Sequence, residues 1–244
     1  MRLSDFKVLT FDCYGTLIDW ESGILAAAAP LLAAAGATID ERRALEDFAR
    51  HESAIEAAEP ALNYRDVLAK THAKLASDWS VKVDPEAASA FGNAVPDWPS
   101  FADSAAALAY LKQHYKLVIL SNIDRDSFAA SNRKLGVEFD AIYTAQDIGS
   151  YKPDPRNFEF MLKHVLESLG FGKPDILHTA QSLFHDHQPA LQIGLATAWI
   201  DRRQGKSGGG ATISVGGEIE TDFHFPSLAA MVAAHRAEAA QKSS

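Results

Sequence analysis

The sequence predicts an α/β protein in which an all-helical cap domain is inserted into a core with a doubly wound parallel sheet. Three observations lead to this fold class. Short apolar runs typical of buried strands alternate with helical segments, which favours right-handed crossovers and a parallel sheet. An alanine-rich stretch with helical periodicity interrupts this alternation after the first strand. Polar residues directly follow several of the strands, as at ligand sites in open α/β sheets.

The first predicted strand covers residues 6–11, which are mostly apolar, β-branched or aromatic, and leads directly into Asp12. Ligands bind at the carboxyl end of such strands, so Asp12 is placed like a reactive group. The alternative is a loop aspartate that caps the following helix. Cys13 suggests a second nucleophile, but strand alternation turns it away from the side that Asp12 faces. We therefore interpret Cys13 as a small buried residue.

The inserted segment covers residues 18–96 and predicts four packed helices. Leu, Ile, Phe and Trp recur there at spacings of three and four residues, which favours packing over a low-complexity tract. The predicted helices are Glu21 to Ala35, Asp40 to Ala57, Tyr64 to Asp78 and Pro85 to Asn93. These boundaries predict a core domain of residues 1–17 and 97–244 and a cap domain of residues 18–96.

The remainder of the chain follows a proline-bracketed linker and returns to alternating helices and strands. The predicted helices are Ala102 to His114, Arg125 to Leu135, Pro155 to Leu169, Pro189 to Ile193 and Ser227 to Ala240. The predicted strands are Lys116 to Leu120, Phe139 to Tyr143, Asp175 to Thr179, Ala196 to Ile200 and, at the edge, Phe223 to Phe225. Gly205-Lys206-Ser207 imitates the end of a phosphate-binding loop, but no leading glycine or following helix accompanies it, which predicts a surface loop.

Composition excludes several classes of partner. The chain has 244 residues, a net charge of −9 and no long basic run, which argues against nucleic acid and anionic membranes. We expect no signal segment before the first strand and no membrane helix, because no apolar stretch approaches ~18 residues. One cysteine cannot form an internal disulfide, so we expect a cytoplasmic protein.

The residues at the strand ends form motifs in a fixed order. They are Asp12-Cys13-Tyr14-Gly15-Thr16-Leu17, Leu120-Ser121-Asn122, Tyr151-Lys152-Pro153-Asp154-Pro155 and Gln181-Ser182-Leu183-Phe184-His185-Asp186. The four together resemble the haloacid dehalogenase superfamily, and Tyr14 makes the chain most similar to its L-2-haloacid dehalogenases. The resemblance covers roughly residues 6–203. It implies a Rossmann-like core, a helical cap, a small-molecule substrate and a homodimer formed through the caps.

The resemblance leaves two enzyme functions open, because both begin with an aspartyl nucleophile. The phosphatase branch needs a second acid two residues after the first, and Mg²⁺ held by carboxylates, but this chain has Tyr14 and Gln181. Halide leaves without a proton. We therefore predict hydrolysis of short 2-haloalkanoic acids to 2-hydroxy acids through an ester of Asp12, with no metal or cofactor. The alternatives are a Mg²⁺-dependent phosphatase of a small phosphomonoester and a non-catalytic protein that binds small anions.

The resemblance also implies roles for the motif residues in the displacement step. Thr16 and Lys152 hold Asp12, while Ser121 and Asn122 donate to the halide or to the substrate carboxylate. Arg50, on the second cap helix, corresponds to the arginine that binds substrate and halide. Its neighbours Arg42 and Arg43 are the alternatives, as is an ordinary surface role. Tyr14 lines the pocket around the alkyl group together with Trp20, unless each is a plain core residue.

The second step is attack of water on the ester. The resemblance implies that Asp186, with Lys152 and Ser182, orients or deprotonates this water. His185 and His187 flank Asp186 and are alternative bases, because histidine titrates near neutral pH, or they are ordinary polar residues. The chain departs from the family pattern at Phe158, where the family has tyrosine, and around Gln181.

Overall fold

The computed structural model describes residues 1–37, 39–205, 210–213, 215–217 and 219–242. Its strands are β1 (Val8–Phe11), β2 (Lys116–Ser121), β3 (Ala141–Thr144), β4 (Ile176–Ala180), β5 (Ala196–Ile200) and β6 (Phe223–Phe225). They form one six-stranded sheet in the order β3-β2-β1-β4-β5-β6. All its strand pairs are parallel, which confirms the predicted fold class. Lys206 and Ser207 of the predicted surface loop lie outside the described residues.

Strand β1 lies at the centre of the sheet, and this position assembles the strand ends. Phe11 at its carboxyl end is in register with Ile119 of β2 and Thr179 of β4. Because parallel strands end at the same edge, the residues that follow these three strands lie close together. All four residues of β1 are buried, as expected for a strand covered on both faces. Alternate residues of β1 point to opposite faces of the sheet. Leu9 and Phe11 belong to one apolar cluster and Val8 to the other.

Four helices follow β1 in the chain, and we call them the cap helices. They are α1 (Trp20–Ala35), α2 (Glu41–Ala58), α3 (Tyr64–Asp78) and α4 (Pro85–Gly92), close to the predicted bounds. Aspartate side chains cap the amino ends of α1 and α2 by accepting backbone N–H bonds. Helix α2 buries Leu45, Phe48 and Ile55 on one face. The division of the chain into two domains stays a prediction.

The other helices are α5 (Ser104–Leu111), α6 (Arg125–Leu135), α7 (Ala145–Ile148), α8 (Pro155–Leu169), α9 (Gln188–Gln192) and α10 (Leu228–Lys242). Among the short elements that were not predicted, two follow strands of the sheet. One is α7, and the other is a π-helical turn at Leu183–His187, directly after β4. Single-turn π-helices often occur at functional sites, because they redirect side chains. No helix among the described residues is both long and apolar enough to cross a membrane.

Candidate active site

A cavity with an empty volume of about 400 Å³ lies where the cap helices face the carboxyl edge of the sheet. Eight of the residues predicted to take part in catalysis or substrate binding line it, and Thr16 donates a hydrogen bond to one of them, Asp12. The eight are Asp12, Tyr14, Ser121, Asn122, Lys152, Ser182, His185 and Asp186. Trp20, Glu52, Glu56, Tyr64 and Thr212 complete the lining. Arg50 and His187 are not part of it.

Asp12 is held by two partners, one on each carboxylate oxygen. Lys152 Nζ lies 3.0 Å from Oδ1, and the Thr16 hydroxyl donates to Oδ2 over 2.8 Å. Thr16 is itself fixed, because its oxygen accepts the backbone N–H of Gln181. Burial raises the pKa of Asp12, and the Lys152 ammonium opposes this rise. The carboxylate therefore has a fixed orientation, and the ammonium favours its charged, nucleophilic form.

Lys152 is buried and makes three hydrogen bonds. Its ammonium donates to Asp12 Oδ1 at 3.0 Å, to the Leu120 carbonyl at 3.0 Å and to Asp186 Oδ1 at 2.6 Å. Burial alone would lower the pKa of Lys152, but the charges of Asp12 and Asp186 raise it. Since an ammonium has three N–H donors, these bonds engage its whole donor capacity.

Asp186 is tied to the core by one of its two oxygens. Oδ1 accepts from Lys152 and from His178 Nε2, which lies 2.9 Å away. Burial would raise the pKa of Asp186, but Lys152 and His178 lower it instead. Oδ2 has no hydrogen-bond partner among the described residues. Asp186 is thus an ionised group with one free oxygen in the region of the cavity.

His178 supports this arrangement, and the sequence reasoning missed it. It lies within β4 and is fully buried, with Nδ1 2.9 Å from the Thr10 hydroxyl on the neighbouring strand β1. Phe158 packs edge-on against its ring at 5.1 Å. A histidine inside an apolar strand is the signal that was available, because a buried polar side chain needs a specific partner.

The π-helical turn decides where the two candidate histidine bases lie. Ser182 caps the turn by accepting the His185 backbone N–H, and its oxygen lies 3.3 Å from His185 Nδ1. His185 Nε2 has no partner among the described residues, and this residue lines the cavity. His187 Nε2 instead donates to the Ala180 carbonyl. Burial lowers the pKa of each histidine to about 4, so both are neutral at pH 7.

The side chain of Asn122 forms hydrogen bonds within the protein. Its side-chain oxygen accepts the Lys152 N–H, and its amide donates to the Lys152 carbonyl at 3.0 Å and to Glu56 Oε2 at 3.3 Å. It therefore positions the segment that carries Lys152. Ser121 differs, because its buried hydroxyl has no partner among the described residues and lines the cavity. Of the two predicted donors, Ser121 is the one available to a ligand.

The assignment of Arg50 to the site is corrected by its position. Arg50 is 55% exposed, pairs with Asp47 and Asp78 at 2.9 and 2.8 Å, and lines a separate open groove that also contains Phe184 and Thr212. A helix turns by about 100° per residue, so Arg50 lies on the opposite side of α2 from Phe48 and Glu52. The alternatives Arg42 and Arg43 are also exposed and pair with acidic residues of the same helix. None of these arginines lines the cavity.

Helix α2 presents two acidic residues to the cavity instead, Glu52 and Glu56. Both are buried, and the Tyr64 hydroxyl donates to Glu52 Oε1 over 2.5 Å. Burial raises the pKa of Glu52 to about 8 and that of Glu56 well above its usual value, where the neighbouring Glu52 charge adds to the rise. The sequence analysis did not single them out, although their spacing of four residues, which places them on the apolar face of α2, is a signal that could have found them.

Tyr14 and Cys13 differ in their relation to the cavity. Tyr14 lines it, but its hydroxyl lies 2.9 Å from the Ser131 oxygen, and its ring packs edge-on against Trp98. Cys13 is fully buried in the core, and burial raises the pKa of its thiol well above the usual value. These positions support the interpretation of Cys13 as a core residue, since the thiolate is the reactive form.

The donor atoms around Asp12 fit a magnesium ion poorly. Mg²⁺ favours octahedral oxygen ligands that include carboxylates. Lys152 bridges Asp12 and Asp186, and a third carboxylate is replaced by the amide of Gln181, whose backbone N–H and side-chain oxygen bond to Thr16 and Thr212. Among the described residues, no group of three or more His, Cys, Asp and Glu side chains is arranged to hold a metal ion.

The sequence of this chain is similar to those of known hydrolases. The family model of haloacid dehalogenase-like hydrolases matches residues 6–175. A curated relative, the (S)-2-haloacid dehalogenase of Pseudomonas putida, is 26% identical over 215 residues, which cover 83% of this chain and 88% of the relative.

Solved structures share the fold over nearly the whole chain. An L-2-haloacid dehalogenase from Xanthobacter autotrophicus with covalently bound chloropropionic acid has a TM-score of 0.73 at 20% identity and covers 95% of this chain and 98% of its own. A HAD-type hydrolase from Bacillus subtilis bound to magnesium has a TM-score of 0.74 at 15% identity and covers 97% and 100%. At these identities the likeness concerns the fold alone.

Proposed function

Because the chain belongs to the haloacid dehalogenase-like hydrolases, we propose that it removes halide from a carbon next to a carbonyl or carboxyl group, with Asp12 as the nucleophile. One observation carries the proposal. Asp12 lies at the cavity with both oxygens held, by Lys152 and Thr16, and Tyr14 stands in the place of a second acid. A halide leaves as a stable anion, so this step needs no acid.

In the first step a carboxylate oxygen of Asp12 attacks the carbon that carries the halogen. The new C–O bond forms as the carbon–halogen bond breaks, and the halide departs with the bonding electrons. The result is an ester of Asp12. The Ser121 hydroxyl, which has no partner among the described residues, is the group we assign to the departing halide.

In the second step water attacks the carboxyl carbon of the ester. We assign His185 as the base, because it is neutral, lines the cavity and has an unpartnered Nε2 among the described residues. Negative charge develops on the carbonyl oxygen of the ester. Either oxygen of Asp12 can play that part, since Lys152 holds Oδ1 and Thr16 holds Oδ2. The bond between the carboxyl carbon of Asp12 and the ester oxygen then breaks, that oxygen takes the proton held by His185, and a 2-hydroxy product leaves with it.

We assign Asp186 a positioning role toward Lys152 rather than the role of base. Lys152 and His178 lower the pKa of Asp186 below the usual range of a carboxyl group, whereas that of His185, although lowered to about 4, stays above it, so His185 is the stronger base of the two. Neither step draws on a metal ion in this proposal. Ser182 acts indirectly, by fixing His185 through the cap of the π-helical turn.

The test is a single turnover in ¹⁸O-labelled water with enzyme in excess over 2-chloropropionate, the first of a panel of 2-halo acids and amides. Hydrolysis through the ester puts the label into Asp12, and the product receives unlabelled oxygen from the protein. Mass spectrometry of the Asp12 peptide and of the product reads both. Label in the product alone would mean direct attack of water and would contradict the proposed nucleophile.

A magnesium-dependent phosphatase is the second candidate, favoured by the free Oδ2 of Asp186 in the region of the cavity. Halide release that persists in EDTA supports dehalogenation. Phosphate release from small phosphomonoesters only with Mg²⁺ supports the phosphatase. If neither product forms while a small anion still binds, the chain is a non-catalytic member of the family.

A further inference from the structure

The wall of the cavity opposite Asp12 is acidic. Glu52 and Glu56 of α2 and Tyr64 of α3 line it, and each is at least nine-tenths buried. Ser121, also buried and without a partner among the described residues, lines the same cavity from the core. A substrate that exposes its reacting carbon to Asp12 must therefore place its other end among carboxyl and hydroxyl groups.

The cavity offers no free cation within the described part of the chain. Lys152 is the one basic residue of its lining apart from His185, and its ammonium already bonds to Asp12, Asp186 and the Leu120 carbonyl. The arginines of α2 pair with acidic side chains and do not line this cavity, although Arg50 lines an adjoining groove that shares Thr212 with it. The Asn122 amide, the other strong N–H donor near the far wall, bonds to the Lys152 carbonyl and to Glu56.

A substrate carboxylate would be poorly held in this environment. It would give up its hydration, and among the described lining residues no cation other than the fully engaged Lys152 would replace that stabilisation. An ionised Glu52 or Glu56 would repel it, and a protonated one would offer a single neutral donor. A carboxamide fits better, because a carboxylic acid and a primary amide form two complementary hydrogen bonds. The O–H donates to the amide carbonyl, and the acid carbonyl accepts an amide N–H.

We propose that the cavity selects an uncharged 2-halo amide over the corresponding 2-haloalkanoate, with Glu52 and Glu56 binding the amide end. This choice of substrate rests on the proposed function, since Asp12 attacks the same carbon. The raised pKa values of Glu52 and Glu56, caused mainly by burial, agree with it because they favour the protonated form of each group. The balanced reaction takes a 2-halo amide and water to a 2-hydroxy amide, halide and a proton.

Binding to the wild-type protein tests this choice without any chemistry. We would measure dissociation constants for lactamide and lactate, the amide and acid of one 2-hydroxy product, by calorimetry or ligand-observed NMR. We expect lactamide to bind at least about tenfold more tightly, because a site built for hydrogen bonding rejects an unmatched group. Equal binding, tighter binding of lactate or no binding of either would overturn the inference.

Turnover separates a failure of this inference from a failure of the proposed function. Halide release is compared for 2-chloropropionamide and 2-chloropropionate, each corrected for its rate without enzyme and with Asp12→Asn. Tight lactamide binding without halide release from either compound leaves the inference standing and contradicts dehalogenation. Faster corrected release from the acid contradicts the inference and leaves dehalogenation standing.

Variants of α2 locate the selectivity. Glu56→Leu removes the hydrogen-bonding groups at nearly the same size, and we expect lactamide affinity to fall about tenfold with little change for lactate. Glu56→Gln can still donate and accept, so it keeps most of the preference. Glu46→Gln, on the exposed side of α2, is the matched control and leaves both constants unchanged. An unchanged preference in folded Glu56→Leu contradicts the assigned role of Glu56.

Discussion

The two walls of the cavity differ in how their residues reach it. The core wall is made by residues that follow strands, such as Asp12 after β1 and Ser121 at the end of β2. The cap wall is made by residues within helices, such as Glu52 and Glu56 of α2. A strand end delivers whatever follows it to the sheet edge. A residue in a helix faces the cavity only if its side chain points from the helix axis in that direction. Residues that are close in sequence can therefore lie on opposite sides of the helix.

The largest effect is expected on the core wall, from Asp12→Asn. An amide is a weak nucleophile, so turnover should fall by about 10³-fold or more, as when other catalytic nucleophiles are removed. Circular dichroism should show an unchanged fold. Steady-state halide release at the wild-type rate, with deamidation to Asp excluded by mass spectrometry, would contradict the role of Asp12.

Lys152→Met tests how the core wall is held together. It leaves Asp12 and Asp186 buried without the cation between them, and we expect a loss of about 3–5 kcal/mol in the free energy of unfolding. Urea denaturation measures it. Lys163→Met on the exposed surface of α8, where the side chain is 67% exposed, is the matched control and should change stability little.

The two histidines of the π-helical turn form a natural pair of variants. His185→Asn should lower kcat by about 10²-fold, because it removes the assigned base. It should also remove that part of the acid loss of activity that comes from protonation of His185 near pH 4, while the part that comes from protonation of Asp12 remains. His187→Asn, equally buried but bonded to the Ala180 carbonyl, should keep its catalytic rate while it loses stability. Equal kcat losses in the two variants would contradict the choice of His185.

Glu52→Gln tests the cap wall through the pH dependence of stability. Burial raises the folded-state pKa of Glu52 from 4.5 to about 8, so the folded protein binds this proton more tightly than the unfolded chain. The contribution is fully present below pH 4.5 and is lost as the pH rises through about 8. Relative to wild type, Glu52→Gln should gain about 1–3 kcal/mol across that range. Urea titrations at several pH values, with Glu46→Gln as control, measure it; an equal difference at every pH would contradict the shift.

The smallest effect is expected from Arg50→Gln. Its ion pairs with Asp47 and Asp78 lie at the surface, so stability should change by about 1 kcal/mol or less. Halide release should stay within about twofold of wild type, since Arg50 does not line the cavity. A large rise in KM for a 2-halo acid would return Arg50 to the site and would imply that the cap helices rearrange on binding.

The residues of the core wall could be predicted from the sequence because most of its motifs directly follow predicted strands. Asp12, Lys152 and Asp186 were each predicted, and in the structure both aspartates lie within hydrogen-bond distance of Lys152. The sequence did not predict His178, since a single histidine in an apolar strand does not reveal which neighbour it will meet. Phe158 shows the limit of a motif position. Its ring packs edge-on against His178, an apolar contact that the motif position did not predict.

On the cap wall, the place of a residue in a sequence motif did not predict whether its side chain faces the cavity. The residues around Arg50 fit a familiar pattern, but the apolar face of α2 passes through Phe48, Glu52 and Ile55. A periodicity argument that included the acidic residues would have placed Glu52 and Glu56 inward, because they share the spacing of the buried residues. Their burial would still have required the structure, since isolated acidic residues seldom occupy such positions.

The central place of β1 also governs how the molecule comes together. Its neighbours β2 and β4 lie more than a hundred residues later in the chain, so the middle of the sheet forms only after long loops have closed. Cys13, the single cysteine of the sequence, is buried directly beyond this strand. Cys13 can therefore report on refolding. The time at which it becomes protected from a thiol reagent marks the closure of the sheet around the nucleophile.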